Sequence, residues 1–131
     1  MQMDEKESRP RVVIADDDPD IRRLVEMTVT NAGCDVTVAS DGEEALERVR
    51  ASKPDLVILD VLMPRMDGWE VARALKSDPA TREVPVMFLT SRGQEHDVLE
   101  GFDSGAVDYM VKPFSPRELQ VRVRAVLAKR Q

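Results

Sequence analysis

The stretch Val12-Val-Ile-Ala-Asp-Asp-Asp-Pro-Asp20 decides the fold. Its four apolar residues form a continuous run, which is typical of a strand buried on both faces of a sheet. Asp18 followed by Pro19 predicts the start of a helix, with an N-cap residue and a proline in the first turn. A buried strand that leads directly into a helix indicates an alternating α/β protein.

Short apolar runs continue to alternate with helical periodicity along the chain. The helices after the second and fifth strands are predicted to begin with capping boxes, Ser40 with Glu43 and Ser115 with Glu118. The helical pattern before the fifth strand is the weakest. Because parallel strands require crossover connections, five such units predict a doubly wound α/β fold, a parallel sheet with helices on both faces. The five strands are predicted at residues 12–15, 35–39, 56–59, 84–89 and 107–111.

The length and charge of the chain exclude several classes of protein. It has 131 residues, with 19 Lys and Arg against 25 Asp and Glu, a formal net charge of −6. An acidic domain of this size is unsuited to non-specific binding of nucleic acid or anionic membranes. The longest apolar runs have four residues, too short to span a bilayer. We expect residues 1–9 to be a disordered polar tail and residues 10–131 to form one domain of a cytoplasmic protein.

Polar side chains stand at the carboxyl ends of four predicted strands. Asp16 and Asp17 follow the first strand, Asp60 the third, Thr90 the fourth and Lys112 the fifth. Ligands of open parallel sheets bind beyond these ends, so we expect the five side chains to converge. Three carboxylates carry −3, which a divalent cation and the lysine together balance. Carboxylate oxygens are ligands that suit Mg²⁺.

Other interpretations of the aspartates are weaker. One aspartate is enough to cap the first helix, and Asp18 is in that position. A calcium loop that begins at Asp16 requires glycine and glutamate where the chain has Ile21 and Met27. A flavin mononucleotide would place its phosphate beside the first strand, where the chain has carboxylates. The residues therefore favour a Mg²⁺ site.

Four motifs occur in order at these strand ends. They are Val13-Ile-Ala-Asp-Asp-Asp-Pro-Asp-Ile-Arg-Arg-Leu24, Asp55-Leu-Val-Ile-Leu-Asp-Val-Leu-Met-Pro-Arg-Met-Asp-Gly68, Leu89-Thr-Ser91 and Tyr109-Met-Val-Lys-Pro-Phe114. With them, residues 10–129 resemble the receiver domain of two-component response regulators. The resemblance implies a flavodoxin-like (βα)5 fold with strand order 2-1-3-4-5.

The resemblance also implies a role for each residue of the cluster. Asp60 would be the phosphoacceptor, a carboxylate that takes a phosphoryl group from a phosphohistidine. Mg²⁺ would be bound by Asp17, by Asp16 mainly through water, by Asp60 and by the backbone carbonyl of Leu62. Phosphoryl transfer requires positioning and charge neutralisation, which a metal ion and a lysine supply.

Further residues take roles in binding and switching by the same resemblance. Lys112 and Thr90 would bind phosphoryl oxygens, and a cis bond before Pro113 would aim the lysine inward. Movement of the Thr90 hydroxyl would let Tyr109 rotate inward, which is the switch. Leu62 and Arg92 occupy positions that tune dephosphorylation. Leucine cannot orient an attacking water molecule, so we hypothesise a long-lived phosphoryl form.

The predicted function is signalling rather than turnover of a substrate. The domain would catalyse only its own phosphorylation and slow autodephosphorylation. A dehalogenase-type phosphatase would require a second aspartate where the chain has Leu62. A degenerate receiver that serves as a constitutive scaffold is the other alternative, although every expected functional position is filled.

The expected partners follow from this function. They are a sensor histidine kinase or phosphotransfer protein and a downstream effector protein or domain. Output would use the helix before the fifth strand, the fifth strand and the C-terminal helix. Asp108, Glu118 and Arg122 resemble charged positions that related transcription regulators use for symmetric pairing, which suggests a phosphorylation-dependent homodimer. Other members of that set are not evident, and Val98 stands where a charge would help. The sequence fits both a single-domain regulator and one domain of a longer protein.

Overall fold

The computed structural model describes residues 9–91 and 108–129. These ranges contain five strands and four helices, and a helix follows each strand except the fourth, after which residues 92–107 lie outside the described ranges. The strands are β1 (Arg11–Ala15), β2 (Asp35–Ala39), β3 (Leu56–Asp60), β4 (Val86–Ser91) and β5 (Asp108–Lys112). The helices are α1 (Pro19–Asn31), α2 (Gly42–Ser52), α3 (Gly68–Ser77) and α4 (Pro116–Leu127). None of these described helices has the length and hydropathy needed to cross a membrane.

The strands form one parallel sheet in the order β2-β1-β3-β4-β5. The predicted doubly wound α/β fold and its strand order are therefore confirmed. β1, β3 and β4 each have two neighbours, which explains why their sequences are continuous apolar runs. All five carboxyl ends lie at the same edge of the sheet because every pairing is parallel.

The core has one layer on each face of the sheet. Alternate strand residues point to opposite faces, so Val13 and Val57 pack on one side and Val12 and Leu56 on the other. Buried residues of α2 and α3 complete the first layer, and those of α1 and α4 complete the second. Helices on both faces leave the two ends of the sheet as the places where a ligand can approach the strands.

Most helix starts agree with the predictions, and one is wrong by a residue. The side chain of Asp18 caps α1, accepting hydrogen bonds from two backbone N–H groups. The predicted capping box of Ser40 and Glu43 is shifted. Asp41 caps α2, accepting from the Glu44 N–H at 2.8 Å, and Glu44 accepts from the Ser40 N–H at 2.9 Å. Ser40 and Asp41 are both good caps, so the choice of Asp41 depends on the path of the chain out of β2.

The strand limits also differ slightly from the predicted ones. β4 begins and ends two residues later than expected, and its start follows Pro85, which has no N–H to donate to the ladder. β5 ends one residue later than expected, and its predicted first residue, Val107, lies outside the described residues. The predicted tail up to residue 8, the weak helical pattern before β5 and Arg92 lie outside the described residues.

Candidate functional site

Two neighbouring strands place the central carboxylates of the site. Asp16 directly follows β1, and Asp60 is the last residue of β3. β1 and β3 are hydrogen-bonded neighbours with Ala15 opposite Leu59, so the two aspartates lie side by side at the carboxyl edge. The structure thus brings together the aspartates that the strand ends predicted.

Asp16, Asp17 and Asp60 form a compact cluster of oxygen atoms. Each offers one carboxylate oxygen, and these oxygens all lie within 4.8 Å of one another. Asp16 and Asp60 are buried, whereas Asp17 is exposed. Three convergent hard oxygen donors at this spacing fit Mg²⁺, which also retains several water ligands. We call these three aspartates and Lys112 the carboxylate site.

Lys112 reaches the carboxylate site from the end of β5. Its Nζ donates a hydrogen bond to Asp16 Oδ2 at 2.9 Å and lies 3.5 Å from Asp60 Oδ1. Burial lowers the pKa of Lys112, but the hydrogen bond that it donates to Asp16 and the charges of both aspartates outweigh burial, so the pKa lies above its ordinary value. The peptide bond between Lys112 and Pro113 is cis, as the resemblance implied.

Asp60 is the most perturbed acid among the described residues. Burial, followed by the negative charge of Asp16, raises its pKa from 3.8 to about 7. Lys112 and the N–H of Leu62, which donates to Asp60 Oδ1 at 3.4 Å, lower it in part. One lysine therefore does not offset the buried negative charge, and a further cation would relieve it.

Local hydrogen bonds distinguish the aspartate that caps α1 from the aspartates of the carboxylate site. Asp16 Oδ1 accepts the N–H of Asp18 at 3.0 Å, which fixes its carboxylate. Arg22 Nη1 donates to the carbonyl oxygen of Asp16 at 3.0 Å. The carboxylate of Asp18 is used by the first turn of α1. The cap therefore leaves Asp16 and Asp17 available to a cation.

Thr90 lies on β4, the neighbour of β3, and Tyr109 lies on β5, one strand further along the sheet. Thr90 is fully buried, and it follows Leu89, which is paired with Asp60 across the sheet. Its hydroxyl donates to the carbonyl oxygen of Ser91 at 3.4 Å. Tyr109 is half-buried and packs against the core layer of α2 and α3. Thr90 is thus near the carboxyl edge, whereas Tyr109 lies further down β5.

Asp108, Glu118 and Arg122 meet away from the carboxylate site. Arg122 Nη1 lies 2.8 and 2.9 Å from the two oxygens of Asp108, and its Nε lies 3.4 Å from Glu118 Oε1. Asp108 begins β5, so this group is at the opposite end of the strand from Lys112. We call these three residues the β5–α4 ion cluster. The i, i+4 spacing of Glu118 and Arg122 could have indicated their pairing, but the contact with Asp108 has no sequence signal.

Comparison with known proteins agrees with this arrangement. The family model of the response regulator receiver domain matches residues 12–124. RpaA of Synechocystis sp., a DNA-binding dual master transcriptional regulator, is 45% identical over 118 residues, covering 90% of this chain and 49% of that protein. PhoP of Bacillus subtilis, the alkaline phosphatase synthesis transcriptional regulatory protein, is 43% identical over 117 residues, covering 89% of this chain and 48% of that protein. The chain spans about half the length of these curated relatives.

Solved structures show the same likeness. The chemotaxis response regulator CheY4 of Vibrio cholerae superposes with a TM-score of 0.85 at 34% identity, covering 91% of this chain and 99% of that one. The receiver domain of the Francisella response regulator 1452 has a TM-score of 0.84 at 34% identity, covering 92% of this chain and 98% of that one. Strand order, the aspartates at the ends of β1 and β3, and the lysine at the end of β5 thus accompany a match over most of the sequence, and the chain belongs to the response regulator receiver domain family.

Proposed function

We propose that this receiver domain is switched by transfer of a phosphoryl group to Asp60. The observation that carries the proposal is the position of this carboxylate. It is 6% exposed at the end of β3, beside a buried aspartate and within 3.5 Å of a lysine. Such a carboxylate is a nucleophile in a setting arranged for cations rather than a structural ion pair.

The proposed reaction forms an acyl phosphate on Asp60. A carboxylate oxygen of Asp60 attacks the phosphorus of a phosphohistidine, the phosphorus–nitrogen bond breaks, and the imidazole leaves and takes up a proton. Lys112 lies close enough to Asp60 to contact a phosphoryl oxygen there, and Thr90 would donate its hydroxyl to another. When bound by Asp16, Asp17, Asp60 and the carbonyl of Leu62, Mg²⁺ would supply positive charge to the phosphoryl oxygens. The donor would be a sensor histidine kinase or a phosphotransfer protein.

The proposed switch uses the phosphoryl group to draw one side chain inward. Attraction of the buried Thr90 hydroxyl toward the group would favour the rotamer of Tyr109 that packs inward. Thr90 lies on β4, which pairs with both β3 and β5, and Tyr109 lies on β5, so a change at the carboxyl edge of β3 would reach β5 through β4. The surface of β5 and α4 would then present the output to an effector protein or domain.

The lifetime of the phosphoryl form is expected to be long. The side chain of Leu62 is 56% exposed beside Asp60 and has no group that can orient an attacking water molecule. Arg92, the other position expected to tune the rate, lies outside the described residues. A half-life of seconds for the purified phosphoprotein would contradict this expectation.

The test of the proposed function is phosphorylation by small donors. Acetyl phosphate or beryllofluoride, each with Mg²⁺, should modify the wild-type protein at one site and leave Asp60→Asn unmodified. Continued turnover of acetyl phosphate would indicate a phosphatase, and absence of any modification would indicate a scaffold. Either result would reject the proposal.

The surroundings of the domain complete the proposal. We place residues 1–9 in a tail, residues 10–131 in the receiver domain and the protein in the cytoplasm, with no direct binding of nucleic acid by this domain. Phosphorylation would favour a homodimer through the face that includes the β5–α4 ion cluster. Sedimentation with and without beryllofluoride tests this, since a monomer in both states would exclude the dimer.

A further inference from the structure

The loop that follows Asp60 rests on the first residue of α2. A Cβ atom on Gly42 would lie 2.6 Å from the carbonyl carbon of Met66 and would overlap the carbonyl oxygen. The backbone of Met66, near the tip of the loop, therefore occupies the space that a side chain at Gly42 would fill. Any larger residue at this position requires backbone atoms of the loop to move.

A second contact joins the loop tip to α2. Arg65 Nε lies 3.5 Å from Asp41 Oδ2, while Asp41 Oδ1 caps the helix. Arg65 has a φ of 69°, a left-handed conformation that non-glycine residues adopt only when their surroundings hold them there. The adjacent Met66 N–H donates to the Pro64 carbonyl at 2.8 Å, which closes a tight turn. The tip of the loop thus has a defined shape and a defined support.

The base of the same loop is fixed at the carboxylate site. The Gly68 N–H donates to the Val61 carbonyl at 2.9 Å, and a Cβ on Gly68 would lie 3.1 Å from Val61 Cα. Leu62 lies between base and tip, and its N–H donates to Asp60 Oδ1. Because the base is closed, a displacement of the tip changes the path of the backbone through Leu62.

We infer that Gly42 is a positioning residue for the metal and phosphoryl site. Because Gly42 has no Cβ, the Met66 carbonyl can pack against α2. This contact fixes the position of the Leu62 backbone, and the Leu62 N–H in turn positions the carboxylate of Asp60. Gly42 itself contributes no ligand. The inference rests on the proposed function, since it assigns a support to the loop that carries one proposed ligand.

The main test compares two glycine variants by Mg²⁺ affinity. Gly42→Ala should bind Mg²⁺ about tenfold more weakly than wild type, the size of effect typical for residues that support metal ligands. The matched control is Gly33→Asn, because a Cβ at Gly33 meets nothing within 4 Å, and asparagine adopts a positive φ more readily than most residues, so the strain at its φ of 96° does not involve the loop. Titration calorimetry measures the affinity, and emission of Trp69, the second residue of α3, supplies an independent signal. Urea unfolding without metal shows which variants are folded.

A second variant separates loop support from simple charge. Arg65→Asn removes a positive charge, which by electrostatics alone would strengthen cation binding, yet loss of the support should weaken it about threefold. Faster amide exchange of Leu62 in the metal-free variant should accompany the weaker binding. The inference is supported if at least one folded variant binds Mg²⁺ more weakly and shows faster amide exchange of Leu62. It is overturned if every folded variant binds Mg²⁺ as tightly as Gly33→Asn. Failure of wild type to bind Mg²⁺ would instead overturn the proposed function.

Discussion

The carboxylate site and the β5–α4 ion cluster each contain more acids than cations, but they lie in different environments. In the first, the side chains of Asp16, Asp60 and Lys112 are 0%, 9% and 19% exposed. In the second, the side chains of Asp108, Arg122 and Glu118 are 25%, 39% and 49% exposed. Water screens the excess charge of the second cluster and does little for the first. Burial, rather than the number of acids, indicates which cluster requires a ligand.

The two cations, Arg122 and Lys112, also differ in how closely they contact their acidic partners. Arg122 Nη1 lies within 2.9 Å of both oxygens of Asp108, so a single guanidinium nitrogen contacts the whole carboxylate. Lys112 is a point charge, and it remains 3.5 Å from Asp60. Asp60 accordingly keeps a pKa raised to about 7, chiefly by burial. A lysine that holds its acid loosely leaves that acid able to exchange partners, which suits a phosphoacceptor.

The largest expected effect comes from removal of the lysine. Lys112→Met leaves Asp16 and Asp60 buried without their cation and should lower the free energy of unfolding by about 4 kcal/mol at pH 8 without metal. Phosphorylation by acetyl phosphate should also be lost. The control is Arg122→Met in the exposed cluster, which should cost less than about 1 kcal/mol. Urea titration measures both, and equal losses would refute the distinction between the clusters.

Asp60→Asn should stabilise the protein, which is the opposite of the effect of Lys112→Met. The folded protein holds the Asp60 proton more tightly than the unfolded chain, because the pKa is raised from 3.8 to about 7. Wild-type stability therefore falls as the pH rises from about 4 to about 7 and then levels off. The neutral amide avoids this loss, so without metal the variant should be more stable than wild type by about 4 kcal/mol at pH 8, and by little near pH 4.

The matched control for this pH dependence is Asp108→Asn. Its partner Arg122 is partly exposed, so removal of the Asp108 charge should slightly destabilise the protein, and the variant should not be more stable than wild type at high pH. Chemical unfolding between pH 4 and pH 8 records both curves. A gain for Asp60→Asn that did not grow with pH would show that the buried charge is not its cause.

The affinity for Mg²⁺ should depend on pH, because Asp60 must lose its proton before it can bind the ion. Below the pKa of about 7, one proton must leave, so the affinity should fall about tenfold for each pH unit. At pH 8, free Mg²⁺ at ten times its dissociation constant should raise the free energy of unfolding by about 1.4 kcal/mol. Calorimetric titration at several pH values checks the slope. An affinity independent of pH between 5 and 7 would mean that Asp60 is not a ligand.

Much of the fold and of the carboxylate site is visible in the sequence. Continuous apolar runs identify β1, β3 and β4, and a parallel sheet must gather their carboxyl ends at one edge. Asp16, Asp60 and Lys112 could therefore be assigned to one place by counting strand ends. This inference depends on periodicity and topology, which local sequence determines well.

Features that depend on tertiary distance could not be predicted in the same way. Ser40 and Asp41 are both good caps, and both are followed three residues later by a glutamate, so the choice of Asp41 depends on the path of the chain out of β2. The contact of Gly42 with Met66 joins the start of α2 to a loop that is distant in sequence, and no sequence pattern predicts it. The pairing of Arg122 with Asp108 across the β5–α4 connection is of the same kind.

The smallest expected effect is that of Arg122→Gln. The side chain of Asp108 is already 25% exposed, so water can solvate its charge once the contact with Arg122 is lost, and the free energy of unfolding should fall by about 0.5 kcal/mol. High salt should abolish this difference, because it screens exposed charges. Phosphorylation of Asp60 should keep its wild-type rate, since the β5–α4 ion cluster lies at the other end of β5 from Lys112. A reduced rate with unchanged stability would mean that the two clusters are coupled through β5, and the contrast between them would then be one of function as well as burial.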